Sequence, residues 1–315
     1  MDLTKKLYPA LDKLIDEIEK KAKTLEGITK TGRTHLMDAM PVDFSDELLA
    51  WSSQLNASRK MLSVIEERFL ELPQGGTAVG SGINAHKQFA KFFAQELTKL
   101  SGNKCKCVPS GNFFHELSAQ DSSVQLSGEL KNLAVILMKI ANDLRWMNSG
   151  PLAGLSEIEL QALQPGSSIM PGKVNPVIPE AVTMVSADVI GNDASITVAA
   201  QAGNFQLNVM LPVIAYNLLK SINLLAGAMN VLSTKAIKTF KVNKKNLEAS
   251  LSRNPILVTA LNPIIGYEKA AEIAKKAYKS GRPIIEVANE ETDLSVAQLK
   301  KLLDPSKLTK GGISK

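Results

Sequence analysis

Apolar residues recur along this chain at spacings of three and four, which place them on one side of a helix. The first stripe begins at Leu3 and continues through Leu7, Leu11, Leu14, Ile15, Ile18, Ala22 and Leu25. Pro9 inside it predicts a kink or a first helical turn, because proline lacks the amide hydrogen that a helix interior uses. Comparable runs predict helices over about Phe44 to Leu70, Asn84 to Leu100, His115 to Met147, Val177 to Ala200 and Leu207 to Leu232. Alternating β-branched runs, the mark of half-buried strands, do not occur. The segments between, Thr29 to Pro41, Pro73 to Gly82, Gly102 to Asn112 and Ser149 to Asn175, are rich in Gly, Pro, Ser and Asn and read as loops. The pattern predicts an all-α protein built on a bundle of long helices.

Two of these helices lack an ordinary polar face. Val177 to Ala200 carries only Glu180, Asp188, Asn192 and Asp193 as strongly polar residues, and Leu126 to Met147 is almost as apolar. A helix apolar all round belongs inside a bundle. Burying both takes more neighbours than one chain of 315 residues comfortably supplies, so association of subunits through long helices is expected. After about Thr239 the texture changes to shorter amphipathic pieces punctuated by Pro255, Pro263, Gly266, Gly281, Pro283 and Pro305. The expected organisation is therefore a central helical bundle over 1–240 and a small helical domain over 241–315. The tail from Ser306 onward should fray.

Composition narrows the class. With 44% hydrophobic and 22% charged residues the chain is an ordinary globular one rather than disordered or collagenous. Its net charge of +6 arises from lysine pairs scattered among acidic residues, and aromatic residues make up only 5%. The positive charge forms no basic stripe and stacking platforms are scarce, so no nucleic-acid partner is expected. Apolar stretches such as Leu133 to Met138 are bounded by Lys131 and Lys139, short of the roughly 20 residues a bilayer needs, so no membrane span is expected. The N-terminal residues are dotted with charge and lack the apolar core of a secretory signal, which predicts a cytoplasmic protein. Cys105 and Cys107 are separated by one residue, too little for an ordinary structural disulfide and too few ligands for zinc, and read as incidental thiols.

Three loops concentrate candidate chemistry. Gly166 to Asn175, GSSIMPGKVN, offers two hydroxyls, glycines at both ends, a lysine and an amide. It is not a phosphate loop: five residues rather than four separate Gly166 from Gly172, Val174 stands where Ser or Thr is needed, and no apolar strand precedes it. Gly75 to Gly82, GGTAVGSG, lacks the third glycine spacing and preceding strand of a dinucleotide fingerprint, and reads as a turn. Gly32 to His35 holds one of three histidines. A serine in the first loop could serve as a base if backbone amides and Lys173 stabilised its alkoxide. His35 could handle a second proton if oriented by a carboxylate, and Glu180 is the carboxylate on the apolar helix that follows the loop.

These residues also match a known family. GSSIMPGKVNP (Gly166 to Pro176) resembles the signature of the fumarase/aspartase superfamily. GRTHLMDAMPV (Gly32 to Val42), GGTAVGSGIN (Gly75 to Asn84), LMKIANDLRWMNSGP (Leu137 to Pro151), NFQLNVMLPV (Asn204 to Val213) and LVTALNPIIGYEKAAEIAKKA (Leu257 to Ala277) resemble class II fumarase segments in the expected order. The resemblance implies a homotetramer with a bundle core shared among subunits, and reversible, cofactor-free hydration of fumarate to L-malate with no metal. By motif position it implies that Ser167 removes the C3 proton of malate to give a carbanion held as an aci-carboxylate, and that His35, oriented by Glu180, handles the water at C2. Lys173, Val174 and Asn175 fall at carboxylate-binding positions, with Thr34 and Ser168 as further substrate contacts. Family members carry a further N-terminal portion whose Ser/Thr and Ser-Ser-Asn loops bind substrate, so a separate N-terminal subunit or fragment is a second expected partner. Met37 and Met40 replace the usual Gln and Thr. The alternatives are the sister aspartate ammonia-lyase and a catalytically silent helical scaffold.

Overall fold

A computed structural model of the protein describes residues 2–164 and 166–310. Its long helices follow the apolar stripes. A π-helical segment, Leu3–Leu7, leads into α1 (Tyr8–Leu25), and the whole stripe from Leu7 to Leu25 is buried. Pro9 stands two residues beyond the π-helical segment, inside a helical run already under way, and the wider π turn lies where the proline's missing amide interrupts the ladder. The other long helices are α2 (Phe44–Arg68), α5 (Asp121–Met147), α6 (Val177–Ala200) and α7 (Leu211–Leu232), with α3 (Phe89–Leu100) and α4 (Phe113–Ser118) between α2 and α5. The fold class is all-α.

Four sequence expectations are corrected. The stretch from His115 to Met147 is not one helix: α4 starts at the Asn112 cap, whose side chain accepts the Phe114 and His115 amides, and ends at extended Ala119 before α5 begins. The helix expected from Asn84 starts only at Phe89, and the one expected from Leu207 starts at Leu211. The loop expected over Thr29 to Pro41 is an antiparallel hairpin of β1 (Thr29–Thr34) and β2 (Met37–Asp43). Shorter pairs also occur: β3 (Glu71–Leu72) runs parallel to β4 (Val108–Pro109), β5 (Ile158–Glu159) pairs with β8 (Lys241–Val242), and β6 (Gly203–Asn204) with β7 (Leu207–Asn208).

The chain divides into two compact units. The first comprises Met1–Glu17, Trp51–Arg145 and Ala162–Ile237. Within it α6 and α7 pack along one another, with Asn192 donating to Ser221 at 3.1 Å and Lys220 pairing with Asp188 at 2.9 Å. The buried Asp193 carboxylate accepts from Ser127 at 2.7 Å and meets Lys131 at 2.6 Å. Asn208, fully buried, donates to the carbonyls of Ala199 and Ala200 at the end of α6 and accepts the Met210 amide. Its three bonds tie α6 to the start of α7. Tyr8 donates to Glu66 at 2.9 Å beneath the Arg59 guanidinium, and burial followed by that hydrogen bond pushes its phenol above the ordinary range.

The faces of α6 and α7 are not all covered within the chain. The buried positions of α6, Val182, Ser186, Val189, Asn192, Ile196 and Ala199, form one stripe, while Met184 is 70% and Val198 65% exposed, and Tyr216 on α7 is 66% exposed. The expectation that the whole of α6 lies deep in a bundle is met on one side only. Among the described residues one helical stretch, Leu211–Ile237, has the length and apolarity to cross a membrane, since a single lysine interrupts α7. Its buried face carries Asn217 and Ser221 among leucines and is held to α6 by the bonds above, the arrangement of a bundle helix.

The second unit comprises Ile18–Ala50, Trp146–Gln161 and Lys238–Lys315. It contains the hairpin, the β5–β8 pair and the short helices α8 (Lys244–Arg253), α9 (Asn262–Ile265), α10 (Tyr267–Ser280), α11 (Ile284–Glu291), α12 (Val296–Leu302) and α13 (Pro305–Leu308). Leu257, Leu261, Ile273, Ile284, Val287 and Leu299 build its C-terminal core. α12 starts on a reciprocal cap between Ser295 and Gln298. Of the tail expected to fray, Pro305–Leu308 is helical with an Asp304 cap, and 311–315 lie outside the described residues.

Candidate functional site

The Gly166–Asn175 loop folds back on itself in the first unit. The Gly166 amide donates to the Lys173 carbonyl at 2.9 Å, and the Asn175 side-chain amide donates to the Gly166 carbonyl at 2.8 Å. These two bonds close the loop and set Ser167, Ser168 and Lys173 along one partly exposed arc. Gly166 is required for space rather than for dihedral freedom: a Cβ built there would stand 2.1 Å from the Lys173 carbonyl oxygen. Gly172 serves the other purpose, with a φ of 82° that side chains resist.

Ser167 is the best-supported hydroxyl in the loop. Its Oγ accepts the backbone amides of Ile169 at 3.2 Å and Met170 at 3.0 Å. Two fixed N–H groups aimed at one oxygen favour negative charge on it, the condition under which a serine can act as a base. The loop ends at the first turn of α6, where Glu180 is half-buried and its amide donates to the Pro176 carbonyl. Lys173 and Val174 are exposed. The structure therefore brings Ser167, Ser168, Lys173, Val174 and Asn175 into one loop, with Glu180 just beyond.

Thr34 and His35 lie in the second unit, at the tip of the hairpin. Thr34 pairs with Met37, leaving His35 and Leu36 as a two-residue turn with φ of 56° and 60°. Positive φ at both central positions defines the type I′ turn, normally the place of Asn and Gly. A histidine and a leucine there are strained by about 1–2 kcal/mol each, and such strain concentrates at functional positions. Among the described residues neither the Thr34 hydroxyl nor the His35 ring has a hydrogen-bond partner. Below the tip, Gly32 faces a bulge in β2, and a Cβ at that position would lie 2.5 Å from the Met40 carbonyl oxygen.

The sequence reading missed what holds this hairpin. Arg33 reaches Glu157 at 2.7 Å, and Lys30 reaches Glu157 and Glu47 at 2.8 Å each. Glu157 and Lys30 are almost fully buried, and the Lys30 ammonium also faces the Phe44 ring. The residues are far apart in sequence and each alone looks like an ordinary surface charge, so no local signal marks them. Asn254 completes the support by donating to the Ala39 carbonyl at 2.9 Å.

The remaining histidines stand elsewhere. His86 lines a cleft of about 500 Å³ with Gln74, Thr77 and Asn84, its Nδ1 facing the Gln88 amide. His115 bonds to Asp121 at 2.9 Å, which raises its pKa above the ordinary histidine value. A second cleft, of about 540 Å³, is lined mainly by apolar residues of the first unit and contains none of the candidate residues. Among the described residues no three metal-ligating side chains cluster.

A family model described as Lyase matches residues 1–191, and one described as Fumarase C C-terminus matches residues 257–310. The chain is 60% identical over 313 residues to Fumarate hydratase class II 2 of Pseudomonas aeruginosa, covering 99% of this chain and 68% of that one. The chain belongs to the class II fumarate hydratase family. Fumarate hydratase class II of Bacillus subtilis is 46% identical, over 96% of this chain and 65% of its own length. A class II fumarase from Schistosoma mansoni superposes with a TM-score of 0.95 at 33% identity, covering 98% of this chain and 67% of that one. The chain thus spans about two thirds of the length of these fumarase relatives.

Proposed function

We propose that the protein is a fumarate hydratase, catalysing reversible, cofactor-free hydration of fumarate to L-malate. The observation that carries this reading is the Ser167 oxygen held by two backbone amides in a loop that, in a chain 60% identical to a class II fumarate hydratase, stands at the family's signature. In the malate-to-fumarate direction Ser167 takes the C3 proton, and the resulting carbanion is stabilised as an aci-carboxylate whose extra charge Lys173 and Asn175 offset. His35 handles the departing hydroxyl at C2 as a general acid, and the roles reverse on hydration; that Glu180 orients it is what the family resemblance implies, since among the described residues the His35 ring has no partner within the chain. Thr34, Ser168 and Val174 complete the dicarboxylate contacts. The strained, unpartnered presentation of His35 supports a role at a reacting centre rather than in packing.

The uncovered apolar positions on α6 and α7 support assembly into a homotetramer through these helices. The cytoplasm is the proposed location. The test is turnover of malate against aspartate by the purified protein, alone and mixed with the N-terminal portion of a relative. Malate-dependent appearance of the fumarate absorbance, with none from aspartate, is the expected result. Turnover of aspartate instead would assign the ammonia-lyase, and neither activity in either mixture would leave a scaffold.

A further inference from the structure

We infer that Cys105 and Cys107 form a reversible dithiol–disulfide pair, oxidised by a low-molecular-weight disulfide. Two residues of extended chain span about 6.6–7.2 Å, at or beyond the upper edge of the roughly 4.4–6.8 Å between Cα atoms that a disulfide tolerates. Here the backbone is not extended. The Cys107 amide donates back to the Cys105 carbonyl at 3.0 Å, an i to i+2 bond that curls the segment and shortens the span into the permitted range. The spacing that argued against a bridge in the bare sequence therefore changes meaning once the turn is seen.

Three further observations support the pair. Both thiols are free and partly exposed. Both residues line the same 540 Å³ cleft, which the intervening Lys106 does not. The turn is also anchored at each end, because the Cys105 amide donates to Ser101 Oγ at 3.1 Å and the one Cys107 N–H, shared with the Cys105 carbonyl, also reaches Thr98 Oγ1 at 2.9 Å, both at the end of α3. Immediately after it Val108 enters its pairing with β3. Little chain ordering remains to be done when the sulfurs join. Lys104 and Lys106 are exposed beside the thiols and favour approach of a disulfide that carries carboxylates, such as oxidised glutathione.

The chemistry balances as ordinary exchange. One cysteine thiolate attacks a sulfur of the small disulfide, breaking its S–S bond and expelling one thiolate. The second cysteine thiolate attacks the protein sulfur of the mixed disulfide and expels the other. The two thiol protons pass to the expelled thiolates, so the protein loses two hydrogens and one small disulfide becomes two thiols. No metal or further oxidant takes part.

The test is equilibration of the purified protein in mixtures of reduced and oxidised glutathione, followed by acid quenching, alkylation and mass spectrometry of the peptides spanning both cysteines. The expected product is lighter by two hydrogens and closed to alkylation at both positions. The ratio of bridged to reduced protein should be proportional to oxidised glutathione over the square of reduced glutathione, the dependence of an intramolecular bridge. Cys105→Ser and Cys107→Ser, checked for folding by circular dichroism, should each stop at the glutathione adduct. Adducts as the end state of the unaltered protein, cross-linked dimers, or two alkylatable thiols at every ratio would overturn the inference.

Discussion

Gly166→Ala tests the loop that carries the proposed base. A methyl group there starts 2.1 Å from the Lys173 carbonyl oxygen, 2.7 Å from its carbon and 2.9 Å from the Asn175 amide nitrogen, all backbone atoms, whereas real Cβ contacts stay beyond 3.0 Å. The loop must therefore open, and the 2.9 Å bond between the Gly166 amide and Lys173 is the first to go. Loss of that bond costs about 0.5–1.5 kcal/mol. The overpacking adds about 1–3 kcal/mol if the loop cannot yield fully. The larger effect falls on catalysis, because Ser167 and Lys173 flank the displaced contact and a misplacement of about 1 Å in a reacting constellation costs on the order of 10²-fold in rate. The assay is fumarate hydration followed by loss of double-bond absorbance, with a urea melt on the same sample. Gly128→Ala in α5 is the control, since a Cβ there meets nothing within 4 Å and should leave activity unchanged while stabilising the helix by about 0.5–1 kcal/mol. A Gly166→Ala protein with unaltered kcat/KM would refute the reasoning.

Other changes should act through identified contacts. Asn208→Ala removes the three bonds joining the end of α6 to the start of α7 and should cost about 1–3 kcal/mol in a urea melt, since buried backbone groups are left unpaired. Glu157→Gln leaves Lys30 buried with Glu47 alone and releases Arg33. Breaking a buried pair of this kind costs about 3–5 kcal/mol, and protease cleavage between Thr29 and Asp43 should accelerate. For His115 the partner Asp121 raises the pKa in the folded state, so its stabilisation is fully present below about pH 6.5 and fades as pH rises through the raised value. Because the pair is exposed, Asp121→Asn should lower stability by less than about 1 kcal/mol, with a difference from the unaltered protein visible near pH 6 and absent near pH 9. Leu36→Gly should relieve the hairpin turn and raise the melting midpoint by the equivalent of about 1 kcal/mol.

How far the sequence could be read depends on the range of the forces involved. The stripe from Leu7 to Leu25, the start of α6 at Val177 and its end at Ala200 are legible because helical burial repeats every three to four residues and leaves a local record. The hairpin left no such record. TKTGRTHLMDAMPVD has no alternation of apolar and polar residues, and its pairing rests on Lys30 and Arg33 meeting Glu157 more than a hundred positions away. The break between α4 and α5 was hidden for a different reason, since Ala119 and Gln120 are compatible with helix and only the Asn112 cap and the extended Ala119 end α4 there. At the candidate site the motif picked out Ser167, Lys173 and Asn175. It did not reveal that Gly166 is needed for clearance, or that the Ile169 and Met170 amides turn onto Ser167. The Cys105–Cys107 turn was likewise invisible, because composition and spacing carry no information about an amide folding back over two residues.

The most direct test of the account is fumarate and malate interconversion by the purified assembly, supplied with an N-terminal portion of a relative where the chain alone is silent, compared with the same assembly carrying Ser167→Ala. The account predicts interconversion by the unaltered assembly and a fall of at least about 10²-fold in kcat with the variant, since the proton at C3 then has no base. Equal rates for the two would contradict the assignment of Ser167 as the base.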